Sequence, residues 1–316
     1  MFNGRKCLSK PSKHIIDREG VASVVGTILA LIVFLSILGL FINHYVPAMM
    51  SGNEHQHDLT VISQILQLKQ SIDNMILYST GQRLGTLSDY TPVTLGSAGV
   101  PMFATGTMGQ MNVIPQAGDH MPSFSVSFFY QVEGASGETI YPTTVASGGG
   151  VFVNMPNRYY VQQSVLYQND LVILAQQNGQ VVEATPGFVI SHSGGIALSI
   201  LEVSVSTPSG ANLTYSGLNT VGLTVSMLGL ATQTYVPYTA SKTPVTVIIN
   251  TPYATAWGSF LNSTLSQAGL SPGYPTGNYT LSFIRNGFYD YTLELSLFGV
   301  TSLQITKALI NIQAED

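Results

Sequence analysis

From Val21 to Asn53 the chain carries no charged side chain, and from Val21 to Ile42 it is almost wholly apolar. A run of about 20 apolar residues is long enough to cross the hydrocarbon core of a bilayer as a helix. Away from water the backbone N–H and C=O groups of such a segment must find partners within it, and a helix supplies them. The start of the run matters as much as its length. A secretory signal is cut after its hydrophobic stretch, at small residues, and the stretch is lost. Here the junction that looks cleavable, Gly20–Val21, comes before the run, so a cut there leaves the helix as a new N-terminus.

Charge gives the orientation. Residues 1–20 hold five basic and two acidic side chains, a net charge of +3; residues 21–316 hold six basic and fourteen acidic, a net charge of −8. The positive-inside rule keeps the leader cytoplasmic and places the rest of the chain, beyond Met50, outside. An acidic exterior argues against nucleic-acid binding, which needs clustered Lys and Arg. The single cysteine, Cys7, lies in the leader, so removal of the leader leaves neither disulfides nor thiolate metal sites. Charged residues make up 9% of the chain, against about 25% in ordinary soluble domains. Few carboxylates leave little native-state pairing to lose by protonation, which predicts tolerance of acid.

Gly20 followed by Val21-Ala22-Ser23-Val24-Val25-Gly26-Thr27-Ile28-Leu29 resembles the start of archaeal type IV pilin-like proteins with class III signal peptides. The resemblance covers roughly 30 residues at the N-terminus. It implies that a prepilin peptidase in the membrane cuts between Gly20 and Val21. It also implies that the exposed helix anchors the subunit and then packs with copies of itself or other pilins in a filament core. Gly26 and Gly39 would permit close helix approach. Bacterial pilins place a glutamate fifth in the mature chain; here that residue is Val25, which favours the archaeal branch.

Beyond the apolar run, Pro47 and Ser51-Gly52-Asn53 predict a kink or short break. Val61, Ile65, Leu68, Ile72 and Met75 then recur at spacings of four and three, one apolar seam of a helix over about 57–79. After residue 90 the period becomes two. Phe124 to Val132, Leu171 to Gln176, Gln180 to Glu183, Ile196 to Val205, Val221 to Met227, Val245 to Ile249, Leu281 to Ile284, Tyr291 to Leu297 and Leu303 to Ile312 read as strands. Asn178-Gly179 and Asn286-Gly287 read as hairpin turns, and Gly148-Gly149-Gly150 as punctuation before a strand. Thr251 as N-cap, Pro252 at the first helical position and Gly269 as the stop bound one helix, with the only Trp, Trp257, on its apolar face.

The expected fold is therefore α+β and mostly β. A long N-terminal hydrophobic helix and stalk lead to a β-sandwich-like extracellular head with one added helix. The segments are a leader at 1–20, a transmembrane or assembly helix at 21–50, a stalk helix at 51–80, a β-rich first half at 90–206 and an α+β second half at 207–316. Thr207-Pro208-Ser209-Gly210 is the expected linker, with one continuous sheet system across both halves as the equal alternative.

Three Asn-x-Ser/Thr acceptors, Asn212, Asn262 and Asn278, fall in the exterior segment and are glycosylation candidates. His55, His57 and Asp58 cluster after the apolar run. On a helix, His at i and i+2 point apart; in an extended segment they could share a metal with Asp58 or Glu54, against the plainer reading of a solvated polar collar. No metal site, cofactor or catalytic constellation is expected. The chain has no phosphate-binding glycine loop followed by Lys-Ser/Thr and no Gly-x-Ser-x-Gly elbow. Three functions follow as expectations: a filament subunit, a surface protein held permanently in the membrane by the same helix, and, without a motif to support it, an ectoenzyme.

Overall fold

A computed structural model describes residues 18–79, 87–116, 122–134, 137–238, 243–287 and 290–315, the side chains of 18–22 and 133–138 excepted. The chain forms two compact units, Met1–Ala48 and Met49–Asp316. Cys7 with the rest of the leader before Arg18, and His120, lie outside the described residues.

Helix α1 runs Arg18–Leu40, a π-helical segment follows at Phe41–Tyr45, and α2 runs Val46–Ser79. The expected break at Ser51–Asn53 is absent, since those residues are helical. The irregularity falls earlier. Pro47 has no N–H to return to the preceding turn, and the wide turn before it absorbs the defect, with the Val46 N–H bonded to the Phe41 carbonyl five residues back. Gly52 costs about 1 kcal/mol relative to Ala inside a helix. That cost is outweighed locally, because Met50 and Glu54 on either side are fully buried and Asn53 Nδ2 donates to Ala98 O at 3.1 Å.

The second unit is mostly β. Its strands are β1 Ser88–Thr94, β2 Gly109–Pro115, β3 Ser123–Gly134, β4 Gly137–Met155 and β5 Gln163–Gln168. Then come β6 Leu171–Gln176, β7 Gly179–Ala184, β8 Phe188–His192, β9 Ile196–Ser206 and β10 Leu213–Gly217. Last are β11 Thr220–Tyr235, β12 Val245–Thr251, helix α3 Ala254–Gln267, β13 Tyr279–Arg285, β14 Tyr291–Leu297 and β15 Val300–Glu315. One sheet has the order β1-β11-β15-β9-β8; the other runs β13-β14-β12-β3-β4-β5-β6-β7, with β2 on β4 and β10 on β2. All pairings are antiparallel except β9 with β15.

Of the two arrangements open at 206/207, the chain adopts the continuous sheet system rather than the division. Strands of the two halves pair with one another: β1 with β11, β2 with β10, β3 with β12 and β9 with β15. Thr207–Gly210 is a tight turn between neighbouring strands, closed by Gly210 N–H to Thr207 O at 3.0 Å, with Gly210 at φ +67°. The glycine triplet also differs from expectation. Gly148, Gly149 and Gly150 lie inside the nineteen-residue β4, where it exchanges partner β3 for partner β2. Gly149 has φ +85°, and a Cβ there would stand 2.5 Å from Ile114 O, so only glycine fits.

Two hydrophobic clusters form the core of this unit. The seam Val61, Ile65, Leu68, Ile72 and Met75 is buried against Val93, Met111, Val151, Val165, Val221 and Ile310 of the strands. Helix α3 buries Trp257, Leu261 and Leu265 against Phe124, Val247, Leu293 and Leu295. Strands β9 and β15 serve both clusters: Ile200 and Ile305 belong to the second, Val203 and Ala308 to the first. The buried face of each strand therefore changes between those residues.

Helix α3 begins later than expected. Tyr253 holds the N-cap position, and Thr251 Oγ1 accepts the Tyr253 N–H at 3.2 Å in a turn before the helix. Its end matches the expected stop: Gly269 sits at φ +75°, its N–H bonds Ser266 O, and the Leu270 N–H bonds Leu265 O. The β6–β7 turn is Gln177-Asn178, one residue before the expected pair, with Gly179 already opposite Gln176.

Candidate functional site

The proposed junction lies where the backbone is already helical, since α1 starts at Arg18; the Val21 side chain lies outside those described. From Ser23 onward the helix is long and apolar enough to cross a membrane, and none of its most apolar window is buried. Val24 is 57% exposed, Phe34 60% and Leu40 63%, so the apolar surface surrounds the helix. Two of its hydroxyls are satisfied internally, Thr27 Oγ1 donating to Val24 O at 2.9 Å and Ser36 Oγ to Ile32 O at 2.8 Å. A Cβ at Gly26 or Gly39 would meet nothing within 4 Å. The two glycines are about 140° apart around an ideal helix, so they would face different neighbours.

The polar start of α2 is a buried junction rather than a solvated collar. Glu54 is fully buried and accepts four hydrogen bonds: Thr107 Oγ1 at 2.5 Å and Arg158 N at 3.0 Å on Oε1, Tyr159 N and Tyr160 N at 2.7 Å on Oε2. Burial alone would raise its pKa, but the donors outweigh burial and hold it below the ordinary value. Asp58, 1% exposed, accepts from Asn157 Nδ2 at 2.7 Å; burial pushes its pKa up against that bond and the nearby His57. His57 Nε2 donates to Thr94 O at 2.9 Å, and the His55 ring packs on Tyr160 at 4.8 Å. Each side chain is committed to holding the 157–160 loop or β1. Among the described residues no group of three or more His, Cys, Asp and Glu is placed to hold a metal ion.

A second buried polar group lies further along α2. Lys69 Nζ donates to Asp73 Oδ2 at 2.7 Å and to Asp170 Oδ1 at 2.6 Å, while Asp170 Oδ2 accepts the Gly187 N–H at 2.8 Å. Asp170 sits with Asn169 in the two-residue β5–β6 turn, both at positive φ, a type I′ hairpin absent from the expected turns although Asn-Asp is a residue pair that could have marked it. Burial, with Asp73 competing for the same ammonium, raises the Asp170 pKa to about 7; Lys69 stays charged, because its partners raise its pKa beyond what burial takes away.

Glu202 is the unsatisfied counterpart. It is fully buried on β9 where the strand passes between the two clusters, and neither carboxyl oxygen has a hydrogen-bond partner. Lys307, its register partner on β15, sends Nζ to Ala146 O at 2.5 Å. Burial raises the Glu202 pKa to about 7 against the attraction of Lys307.

The three sequons stand in different environments. Asn212 is exposed just before β10 and forms none of the described side-chain hydrogen bonds. Asn262 is exposed within α3, and its Oδ1 accepts from the Tyr279 hydroxyl at 2.7 Å. Asn278 is half-buried, its Oδ1 accepting the Ser271 N–H at 3.3 Å. Compared with protein-family models, curated proteins and solved structures, the chain matches none.

Proposed function

We propose that the chain is a structural subunit of an archaeal type IV pilus-like surface filament. The helix from Val21 to about Met50 forms the fibre core, and the β-rich unit is displayed outside, where it is available for adhesion. The observation that carries this reading is an uncharged helix whose apolar surface surrounds it and is left uncovered by its own chain. Burying a single Leu, Ile or Phe side chain is worth about 1.5–3 kcal/mol. A helix with so many of them exposed belongs either in lipid or against other helices. Internal satisfaction of Thr27 and Ser36 suits both surroundings. The charged-Gly junction ahead of the helix supports processing by a prepilin peptidase, which transfers the same surface from membrane to fibre.

The second reading is a pilin-like protein that stays in the membrane and does not polymerise. The size of the displayed unit, Met49–Asp316, favours it, because each added copy must be accommodated around a shared core. Shearing cells separates the two. A filament subunit leaves with the sheared fibres and begins at Val21 on N-terminal sequencing. An anchored protein stays with the membrane fraction. An intact Met1 with no fibres overturns the filament reading.

A further inference from the structure

Between α3 and the edge strand β13 lies an open cleft of about 710 Å³. Thr255, Ser259 and Asn262 line its helical side and Phe283 its strand side, and no charged side chain is among its lining residues. The three helical residues follow at intervals of four and three, which places them on one face of α3. All three are exposed, and neither the Thr255 nor the Ser259 hydroxyl takes part in a described side-chain hydrogen bond. Phe283 is on the core-facing side of β13, opposite Leu293, yet 55% exposed because the sheet ends there. Gly258 lets it lie against the helix, since a Cβ at that position would stand 2.4 Å from the ring.

The amide of Asn262 is oriented from below. The hydroxyl of Tyr279, a residue only 2% exposed, donates to its Oδ1 at 2.7 Å, which leaves the Nδ2 hydrogens to donate elsewhere. The cleft thus offers a half-exposed aromatic ring, a row of uncharged donors and acceptors beside it, and no fixed charge. A neutral ligand with one apolar C–H face and several hydroxyls matches all three properties. A cleft of this volume is within the range of small-ligand sites, and the electron-rich ring face attracts polarised C–H groups.

We infer that the cleft is a binding site for a neutral saccharide, with Phe283 as the stacking platform and Thr255, Ser259 and Asn262 as the hydrogen-bonding rim. The site is independent of whether the N-terminal helix assembles or remains in lipid. It would give the displayed unit a target of its own, such as a neutral surface polysaccharide.

The test uses the full chain in zwitterionic micelles, since sugar-headed detergents would compete. The probes are neutral gluco- and manno-oligosaccharides of two to six units, a sulfated oligosaccharide, and an extended Val-Thr hexapeptide offered to the β13 edge. Binding is read by saturation-transfer NMR and by the fluorescence of Trp257, which is buried next to Gly258. A neutral oligosaccharide is expected to bind, and Phe283→Ala and Asn262→Asp are each expected to weaken it about tenfold, one factor of ten in Kd. Asn262→Asp keeps the acceptor for Tyr279 and tests the rim even if Phe283→Ala disturbs the sheet edge. Thr264→Ala removes the sequon and should leave binding unchanged. The inference is overturned if no neutral oligosaccharide binds, if binding ignores both cleft variants, if the hexapeptide binds and sugars do not displace it, or if Asn262 itself carries a glycan in the native protein.

Discussion

The Lys69 ammonium stands 2.6 Å from Asp170 Oδ1, a residue 101 positions further along the chain, and both residues are buried. This contact ties helix α2 to the β5–β6 turn, and it holds three charges where two would balance. Asp73 shares the same ammonium at 2.7 Å. Truncating one partner of a buried pair leaves the other charge uncompensated, at a cost of about 3–5 kcal/mol. Lys69→Ala is therefore expected to lower stability by about 3 kcal/mol, because partly exposed Asp73 relaxes into water while Asp170 cannot. The pair variant Lys69→Met with Asp170→Asn, which tolerates the positive φ and keeps an acceptor for the Gly187 N–H, should recover most of the loss. Thermal unfolding of the full chain, followed by circular dichroism, checks both. Equal destabilisation by single and pair variants would contradict this account.

Asp170 and Glu202, each raised to about 7, set an acid-favouring dependence of stability. Their folded pKa values exceed the unfolded values near 4. Their contribution is fully present below the unfolded pKa and is lost as pH rises through about 7. Glu54 works in the opposite sense. Its folded pKa is lowered, so its contribution is present above the unfolded value and is lost as pH falls through the folded one. The midpoint of thermal unfolding should thus rise from pH 8 to pH 5 and fall again only in stronger acid. Glu202→Gln removes one titration and should stabilise the chain by about 2 kcal/mol at pH 8 and by much less at pH 5. A variant equally stabilised at both pH values would rule out titration of Glu202 as the cause.

Glu54 anchors the loop at 157–160 through backbone donors rather than through a charged partner. Glu54→Ala leaves the N–H groups of Arg158, Tyr159 and Tyr160 without their acceptor. Each unsatisfied buried group costs about 1–3 kcal/mol, so a loss of about 3 kcal/mol is expected even after partial hydration. Hydrogen exchange should show faster amides at those three positions. Unchanged exchange would mean that the loop is held by other contacts, such as His55 on Tyr160.

The same residue shows what was legible in the sequence and what was not. Apolar periodicity identified the α+β, mostly β class, nine of the strands and the seam from Val61 to Met75, because burial of one face writes a period of two or three to four into the residue types. Continued toward the N-terminus, that seam passes through Asp58, Glu54 and Met50, all buried. The two carboxylates broke the apolar pattern, so the helix read as starting near 57 and its beginning as a solvated collar. Burial of a charged group is decided by donors distant in sequence, here Thr107, Asn157 and Tyr160. The same holds for Asp170, and for the pairing of strands across Thr207. Partners so far apart leave no local period.

Of the three sequons, Asn212 should be the one glycosylated. It is exposed beside the β9–β10 turn, where the acceptor amide and the Thr214 hydroxyl can reach an enzyme. Asn262 is locked in α3 and bonded to Tyr279, and Asn278 is half-buried against Ser271. Glycopeptide mass spectrometry of protein from its own cells should find the modification on the Asn212 peptide, and Thr214→Ala should abolish it. Occupancy at Asn278 without occupancy at Asn212 would show that modification precedes folding.

Gly26 and Gly39 separate assembly from folding. A side chain at either position meets nothing within its own chain, so Gly26→Leu and Gly39→Leu should leave the unfolding midpoint of the Met49–Asp316 unit unchanged. In a fibre, small residues allow helix backbones to approach, and a Leu side chain would push them apart. Because the two glycines face directions about 140° apart, each variant should disturb a different neighbour, and the double variant should be worse than either single one. The yield of sheared fibres, measured with the membrane-retained fraction, gives the readout. Under the filament reading, sheared protein falls and retained protein rises in each variant. If retention is complete in the parent chain and unaltered by either substitution, the helix ends in lipid and the anchored reading stands.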